Sequence, residues 1–470
     1  MARKRGGRVA FSPTLSGLTG DGSISGLFVF RLDGSASGTV TFYIATEGTT
    51  VQSFTTGGSG AWTDRSNGVG LTTNPRLNAD CFFATLLNTL VMTCGWGAAG
   101  TPSVVPQKWN GTDADVGSIS VAPLGTGIPD PTGARYCCAH NSSMFYANTP
   151  GNTSGLWKSA VGTVDTWDTA NDTFFQNVYA GDGDVIRAIA EVGRDLVIAK
   201  RNHLYVMYGA NFDQYTILPH PIATRGLASD RGWAVYGSLF CYASEDGIYA
   251  AGPNSFTELS VPFKDAYLDI SDKTTIAAGT YRDQVWFAFA DTGSTVNNAA
   301  FVVDLRRGSW AKYVAIPVRV FYRDVDGALY EGLSTAGTTT RVMQADQGTT
   351  DEGTAITQIV ETRDVDFKAF AADKVLGPWW AWVKPLASGT LTVYIYVDGV
   401  AGGSPYPVSY AMDKTTVPTG GTTLLIRDLA PQTARGKLMR IRLTNSDTGQ
   451  TEFYGVAMDA DILEPVQSDV

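Results

Sequence analysis

The sequence predicts an all-β chain, a six- or seven-bladed β-propeller followed by a C-terminal antiparallel β-sandwich. Three observations predict it. Strand-sized runs rich in β-branched and aromatic residues are cut by Gly, Asn and Asp, as in antiparallel hairpins, and no sustained helical period competes with them. One hairpin pattern then returns every 45 to 50 residues or so, about the length of a four-stranded propeller blade. Finally, the texture of the chain changes after a polar, Gly-rich segment near residue 350.

The clearest stretch runs from Arg135 to Gly209. Within it DLVIAKRNHLYVMYG reads as strand, tight turn at Arg201-Asn202, strand. Hairpins of the same kind centre near Asn88, Asn141, Gly193, Gly237, Arg282 and Asp326, and Thr39–Ala45 lies one spacing upstream of the first. A small sheet with two apolar faces cannot hide them alone; stacking on neighbours around a common axis buries both. The expected division is an N-terminal arm over 1–25, a propeller over 26–346, a linker over 347–354 and a sandwich over 355–470. In the last part ITQIVETRDVDF, WWAWVKPL, TLTVYIYVDG, TTLLIRDL, LMRIRLTN and EFYGVAMDADIL read as its strands, with a turn at Asp398-Gly399.

Composition narrows the function. The 470 residues carry 17% charged side chains, 52 glycines and a net charge of −10. Few charges with many turn residues suit a packed β-protein rather than disorder. A general nucleic-acid binder would show a basic face, and only Arg3-Lys4-Arg5 and Arg8 form a basic cluster. That cluster reads as a solvated terminus or as an arm docking on an acidic neighbour. No apolar run is long enough to span a bilayer, and the basic start lacks the apolar segment of a secretory signal, so no membrane anchor is expected. The five cysteines have no metal-ligand spacing; Cys137 and Cys138 point to opposite faces of one strand and do not pair with each other. This usage fits synthesis in a reducing cytoplasm, where the Asn-x-Ser/Thr matches at Asn110, Asn141, Asn152 and Asn171 are coincidental.

No catalytic signature is present: no HExxH, GxSxG, P-loop or dinucleotide-binding motif. The three histidines, His140, His203 and His220, stand apart in sequence and read as structural residues. Asp182-Gly183-Asp184 and Asp324-Val325-Asp326-Gly327 resemble fragments of calcium loops but lack the full ligand set, so they read as turns. Glu191, Asp195, Glu245 and Asp246 lie near hairpin turns, where a propeller glycosidase would present a carboxylate pair. No cluster of Arg is placed to hold a substrate carboxylate. Trp379, Trp380 and Trp382 read as sandwich core or as a binding platform. Catalytic residues, cofactor and metal are therefore all expected to be none.

From Asn88 onward the chain resembles the propeller-bearing tail hub, or nozzle, proteins of short-tailed bacteriophages. The pieces that carry this are NTLVMTCGWG, PQKWNGT, SSMFYANTPGNTSGLWKSAVGTVDTW, GDGDVIRAIAEVGRDLVIAKRNHLYVMYG and TRGLASDRGWAVYGSLFCYASEDGIYAAG, in that order. Trp157-Lys158-Ser159-Ala160 followed by Asp165-Thr166-Trp167 is the most telling; it also resembles a sialidase Asp-box, with different spacing. The resemblance covers residues 80–260 and implies a structural virion protein, made in the host cytoplasm and built into the tail. Its copies would form a homo-oligomeric ring, a hexamer, below the portal and adaptor proteins and beside tail fibres or tail tip. Genomic DNA would pass through the lumen without specific binding, its phosphates repelled by an acidic wall. Gly97–Thr101 and Ala411–Thr422 are candidate gating or partner loops. The alternatives are a propeller glycoside hydrolase and a lectin-like receptor-binding protein.

Overall fold

The computed structural model describes residues 2–3, 6–15, 21–35, 38–48, 50–55, 61–66, 80–94, 105–121, 129–167, 174–209, 215–218, 222–252, 255–334, 341–369, 372–384, 389–401, 407–412, 424–430, 434–449 and 452–463. The chain forms two compact units, residues 10–344 and residues 345–470 with 1–9.

The larger unit is a β-propeller. Among the described residues it contains seven four-stranded antiparallel sheets, six of them simple meanders. Their first strands are Ile24–Ser35, Phe82–Leu86, Tyr136–His140, Ile186–Val192, Trp233–Tyr236, Ala277–Tyr281 and Val318–Arg323. The turn after the first strand of the second to seventh sheets falls where the sequence places it, because residues there reach the left-handed conformation that tight hairpins demand. Asn141 and Ser142 have φ of 47° and 59°, Gly193 69°, Gly237 59° and Arg282 53°.

Consecutive sheets share apolar cores. Phe30 and Ile44 of the first sheet pack with Leu90 and Met92 of the second. Val91 meets Tyr146 and Trp157 of the third, and Phe145 meets Ile189 and Leu196 of the fourth. Val197 and Val206 pack on Phe240 and Tyr242 of the fifth, and Ile248 on Val285 and Phe287 of the sixth. Gly279 of the sixth lies beneath Phe321 of the seventh. Val320, Tyr330 and Val342 of the seventh return to Val29 and Tyr43 of the first. The series closes on itself, so among the described residues each sheet buries apolar side chains against the next.

The seventh sheet is the exception to the meander pattern. Three strands come from 318–344 and the outermost is Val9–Ala10. Just beyond it Phe11 N donates to Val342 O at 3.0 Å, and Ser12 Oγ accepts from Val342 N at 3.2 Å. The segment expected as an arm over 1–25 therefore supplies a strand to each unit: Val9–Ala10 here, and Ala2–Arg3 alongside Glu452–Ile462 in the other. Arg8 is buried, its Nε 3.5 Å from Asp351.

Among the described residues the smaller unit has two five-stranded sheets. Lys374–Val383, Leu424–Leu429 and Glu452–Ile462 belong to one; Gln358–Glu361, Thr390–Val397 and Met439–Asn445 belong to the other. Alternate residues point inward, and Trp379, Val393, Ile395, Ile426, Ile441 and Phe453 form one shared core. Asp398 and Gly399, at φ 48° and 81°, make the expected turn. The segment expected as a linker carries a small hairpin, Thr350–Asp351 with Thr354–Ala355. Lys374, fully buried, donates to the carbonyls of Ala369, Ala372 and Lys437 at 2.6 to 2.8 Å, using all three of its hydrogens.

Candidate functional site

Along the propeller axis lies a cavity of about 270 Å³ walled by every first strand, with Leu27, Phe83, Tyr136, Ile189, Trp233, Gly279 and Phe321 contributing one residue from each sheet. First strands converge here because each begins a meander, and the next three run outward from it. Aromatic side chains, among them Phe28, Phe82, Phe83, Trp233 and Phe321, line much of it.

Beside it is a polar cavity of about 360 Å³, lined by Asp80, Arg135, Asn148, Thr153, Arg187, Asp230 and Thr274 among others. Four arginines gather around two carboxylates. Arg231 Nε is 3.0 Å and Arg319 Nη2 3.1 Å from Asp80 Oδ1. Arg135 pairs with Asp230, and Arg187 Nε lies 3.9 Å from the same carboxylate. Arg231 also donates to the carbonyls of Cys81 (2.9 Å) and Ser25, and Arg319 Nη1 to Ser23 Oγ at 2.6 Å, with Asp21 behind that hydroxyl. Burial works to raise the Asp80 pKa, but Arg231, Arg319 and Arg135 hold it below the ordinary value. Burial likewise opposes charge on Arg135, while Tyr136, Asp230 and Asp80 raise its pKa overall. The sequence showed no arginine cluster because these four are spread over 185 positions of chain, from 135 to 319; only the ring brings them together. Each carboxylate is shared by two guanidiniums, and the contacts tie the third and fourth sheets to the fifth through Asp230, and the fifth and seventh to Asp80.

A second polar cluster joins residues that the sequence kept apart. Asp182, Asp184 and His203 present ligand atoms within 4.8 Å of one another. His203 Nδ1 is 3.2 Å from Asp184 Oδ2, which also accepts from Asn202 N at 2.8 Å. Lys200, fully buried, places its ammonium 2.9 and 2.8 Å from the two oxygens of Asp182 and also donates to Tyr179 O and Ser154 Oγ. Burial opposes ionisation of Asp182, but Lys200 above all keeps its pKa below the ordinary value. The lysine supplies a cation to the Asp182 carboxylate, so this part of the cluster is an ion pair between buried Lys200 and a partly exposed Asp182, fastening the turn before the fourth sheet. Asp324 is similarly used, 2.8 Å from Arg31, with Asp326 at 3.1 Å.

The four turn carboxylates do not converge. Glu191 and Asp195 flank the first turn of the fourth sheet, whereas Glu245 and Asp246 sit at the second turn of the fifth. Successive turns of an antiparallel meander fall at opposite ends of its strands. Asp246 is 2.6 Å from Arg225, and exposed Glu191 is 3.8 Å from buried His140. His220 lies outside the described residues, as do Gly97–Thr101 and all but the first two residues of Ala411–Thr422.

The stretch from Trp157 to Trp167 is a packing device. Trp157 Nε1 donates to Pro129 O at 2.7 Å and Trp167 Nε1 to Ser120 O at 2.6 Å. Asp165 accepts from Lys108 Nζ at 2.6 Å and Ser120 N at 2.9 Å, and both tryptophans sit in the core between the second and third sheets. The tryptophans of the smaller unit divide by alternation: Trp379 is in the core, while Trp380 and Trp382 are half-buried on the opposite face, with Arg427 5.5 Å above Trp380.

No protein-family model and no curated protein matches the sequence. Among solved structures the chain is similar to the extracellular domain of a hybrid two component system from B. thetaiotaomicron (8% identity, 85% of this chain, TM-score 0.44), spanning 47% of that chain. It is also similar to a catalytically inactive virginiamycin B lyase from Staphylococcus aureus with quinupristin (10% identity, 72% of this chain and 99% of the other, TM-score 0.46). A third is the WD40 domain of Pan2 from Neurospora crassa (10% identity, 73% and 95%, TM-score 0.41). Likeness at this level says nothing about function. No helix among the described residues is long and apolar enough to cross a membrane.

Proposed function

We propose that the chain is a structural virion protein, one subunit of the ring-shaped tail hub or nozzle of a short-tailed bacteriophage. In this reading the seven sheets are seven blades, the C-terminal unit is a sandwich, and six copies surround a lumen below the portal and adaptor. The supporting observation is the state of the axis. Its small cavity is lined mainly by apolar and aromatic side chains, and the adjoining arginines and aspartates are committed to one another. Such a unit is a rigid body rather than a reaction vessel, and its cavity is far too small to admit a duplex. The lumen then lies between copies, where the net charge of −10 keeps DNA from sticking.

The motifs that carry the resemblance to the nozzle family agree with this reading, since the quoted pieces occupy successive sheets. Purified chain, alone and with a portal–adaptor complex, is to be weighed by light scattering after size exclusion. A six-copy ring in either sample supports the proposal, and a monomer in both contradicts it.

One observation favours a second reading, a lectin-like or hydrolytic propeller: the polar cavity of about 360 Å³ contains two carboxylates and several donors. Against catalysis, Asp80 is held ionised below the ordinary carboxylate range, which suits a counter-ion better than a general acid. Turnover of an aryl glycoside, abolished by Asp80→Asn or Asp230→Asn, would favour the hydrolase.

A further inference from the structure

Cys81 and Cys94 flank the inner hairpin of the second sheet, one residue outside each strand. Its register pairs Leu86 with Thr89 and Phe82 with Thr93, so the next opposed pair is Cys81 with Cys94. The two-residue turn closes on a hydrogen-bonded pair, and alternation makes every second pair after it non-hydrogen-bonded. Cys81 and Cys94 fall on a non-hydrogen-bonded position, and the Cys81 N–H accordingly points away, to Ser25 O of the first sheet at 3.0 Å. In such pairs the Cα atoms approach to about 4.5 Å and the side chains lie closest, inside the span of roughly 4.4 to 6.8 Å that a disulfide bridges. The two sulfurs are 2.6 Å apart and both are buried.

We propose that Cys81 and Cys94 are a redox-active pair that closes to an intrachain disulfide when the protein leaves a reducing environment and meets a peroxide. The Cys81 thiolate attacks one peroxide oxygen, breaking the O–O bond, and becomes a sulfenic acid while hydroxide takes up a proton as water. The Cys94 sulfur then attacks the sulfenic sulfur, the S–O bond breaks, and the oxygen leaves as a second water with the Cys94 proton. Two thiols and one hydrogen peroxide thus give one disulfide and two waters.

The surroundings favour Cys81 as the attacking sulfur. It lines the axial cavity, which has room for a peroxide beside it. Its contact with Cys94, against burial and with help from Thr46 and Arg231, holds its thiol below the ordinary pKa. Burial instead pushes Cys137, Cys138 and Cys241 up to about 12, so those three stay protonated and inert. Closure would staple the hairpin that carries Phe82 and Phe83 into the axis. The pairing follows from this chain's register and holds whether or not the protein belongs to a phage tail.

The test is peptide mapping of the full chain after hydrogen peroxide, with remaining thiols alkylated under denaturing conditions and digestion without reductant. The expected result is one cross-linked peptide joining Cys81 to Cys94, two hydrogens lighter than the reduced pair, three alkylated cysteines, and recovery of all five thiols on reduction. Five alkylated cysteines, or Cys81 joined to any other residue, would overturn the proposal. In Cys94→Ser, which keeps a hydrogen-bond donor beside Cys81 but cannot resolve the sulfenic acid, dimedone labelling at Cys81 should rise at least several-fold over wild type; no rise would count equally against it. Because the first measurement uses the unaltered chain, it does not depend on the variant folding.

Discussion

Gly279 tests whether the sheets are packed face to face around the axis as tightly as described. It sits on the first strand of the sixth sheet, and a Cβ there would lie 2.5 Å from Phe321 Cβ and 2.8 Å from Phe321 Cγ. Ordinary contact begins near 3.4 Å, so Gly279→Ala must separate the sixth and seventh sheets locally by most of an ångström. The nearest atom is a Cβ, which no rotamer change can move. Overpacking of this kind costs about 1–3 kcal/mol, and the loss of unfolded-state freedom on replacing Gly by Ala returns about 0.4–1 kcal/mol. A net loss of about 1–2 kcal/mol should lower the urea midpoint by roughly 0.5 M for a slope near 3 kcal/mol/M. Gly117→Ala is the control, since a Cβ there meets nothing within 4 Å. If Gly279→Ala unfolds at the same urea concentration as that control, the inner strands are not in the contact described and the ring of shared cores is wrong.

Four further outcomes are expected. Asp182→Asn leaves buried Lys200 without its counter-charge and should cost about 3 kcal/mol or more by chemical denaturation. Because Lys200 depresses the Asp182 pKa below its unfolded value, the pair's stabilisation is fully present above about pH 4 and disappears as pH falls through the lower, folded pKa; the variant should lose that part of the acid slope, and an unchanged slope would refute the assignment. Lys374→Met removes the buried donor to three half-buried or exposed carbonyls and should destabilise the C-terminal unit by about 1–3 kcal/mol, read by hydrogen exchange at Val375 and Leu376. Trp379→Ala should cost about 3–5 kcal/mol, whereas Trp382→Ala on the opposite face should cost clearly less in the same melts. Leu87, exposed at φ 52° in the turn of the second sheet, should give a variant about 0.5–1 kcal/mol more stable as Leu87→Asn, since Asn tolerates that conformation better.

The inner hairpins were legible because each is local: a turn residue able to take positive φ, flanked by apolar pairs, states its own structure. The strands of the C-terminal unit were legible for the same reason, through strict alternation in LTVYIYV and WWAWV. What escaped were features made by distant partners. Val9–Ala10 is two residues long and has no period to detect, yet it completes a sheet whose other strands lie more than 300 residues on. Outer strands such as Thr63–Asp64 and Gly117–Ser118 are equally brief. The polar clusters were hidden more thoroughly. Asp182-Gly183-Asp184 read as a turn, and nothing local marked its partner Lys200 at the end of the next sheet's second strand. Asp80 and its arginines meet only because seven strands share one axis. The Trp157–Trp167 stretch was recognisable as a motif, but its role in sealing two sheets depends on carbonyls at Pro129 and Ser120 that no local pattern marks.

The most direct test of the functional account is immunolabelling of phage particles that contain this chain, viewed in negative stain. The proposal predicts label confined to a ring in the tail, just below the portal vertex. Intact particles without label there, with the chain recovered only in the soluble fraction of infected cells, would contradict it.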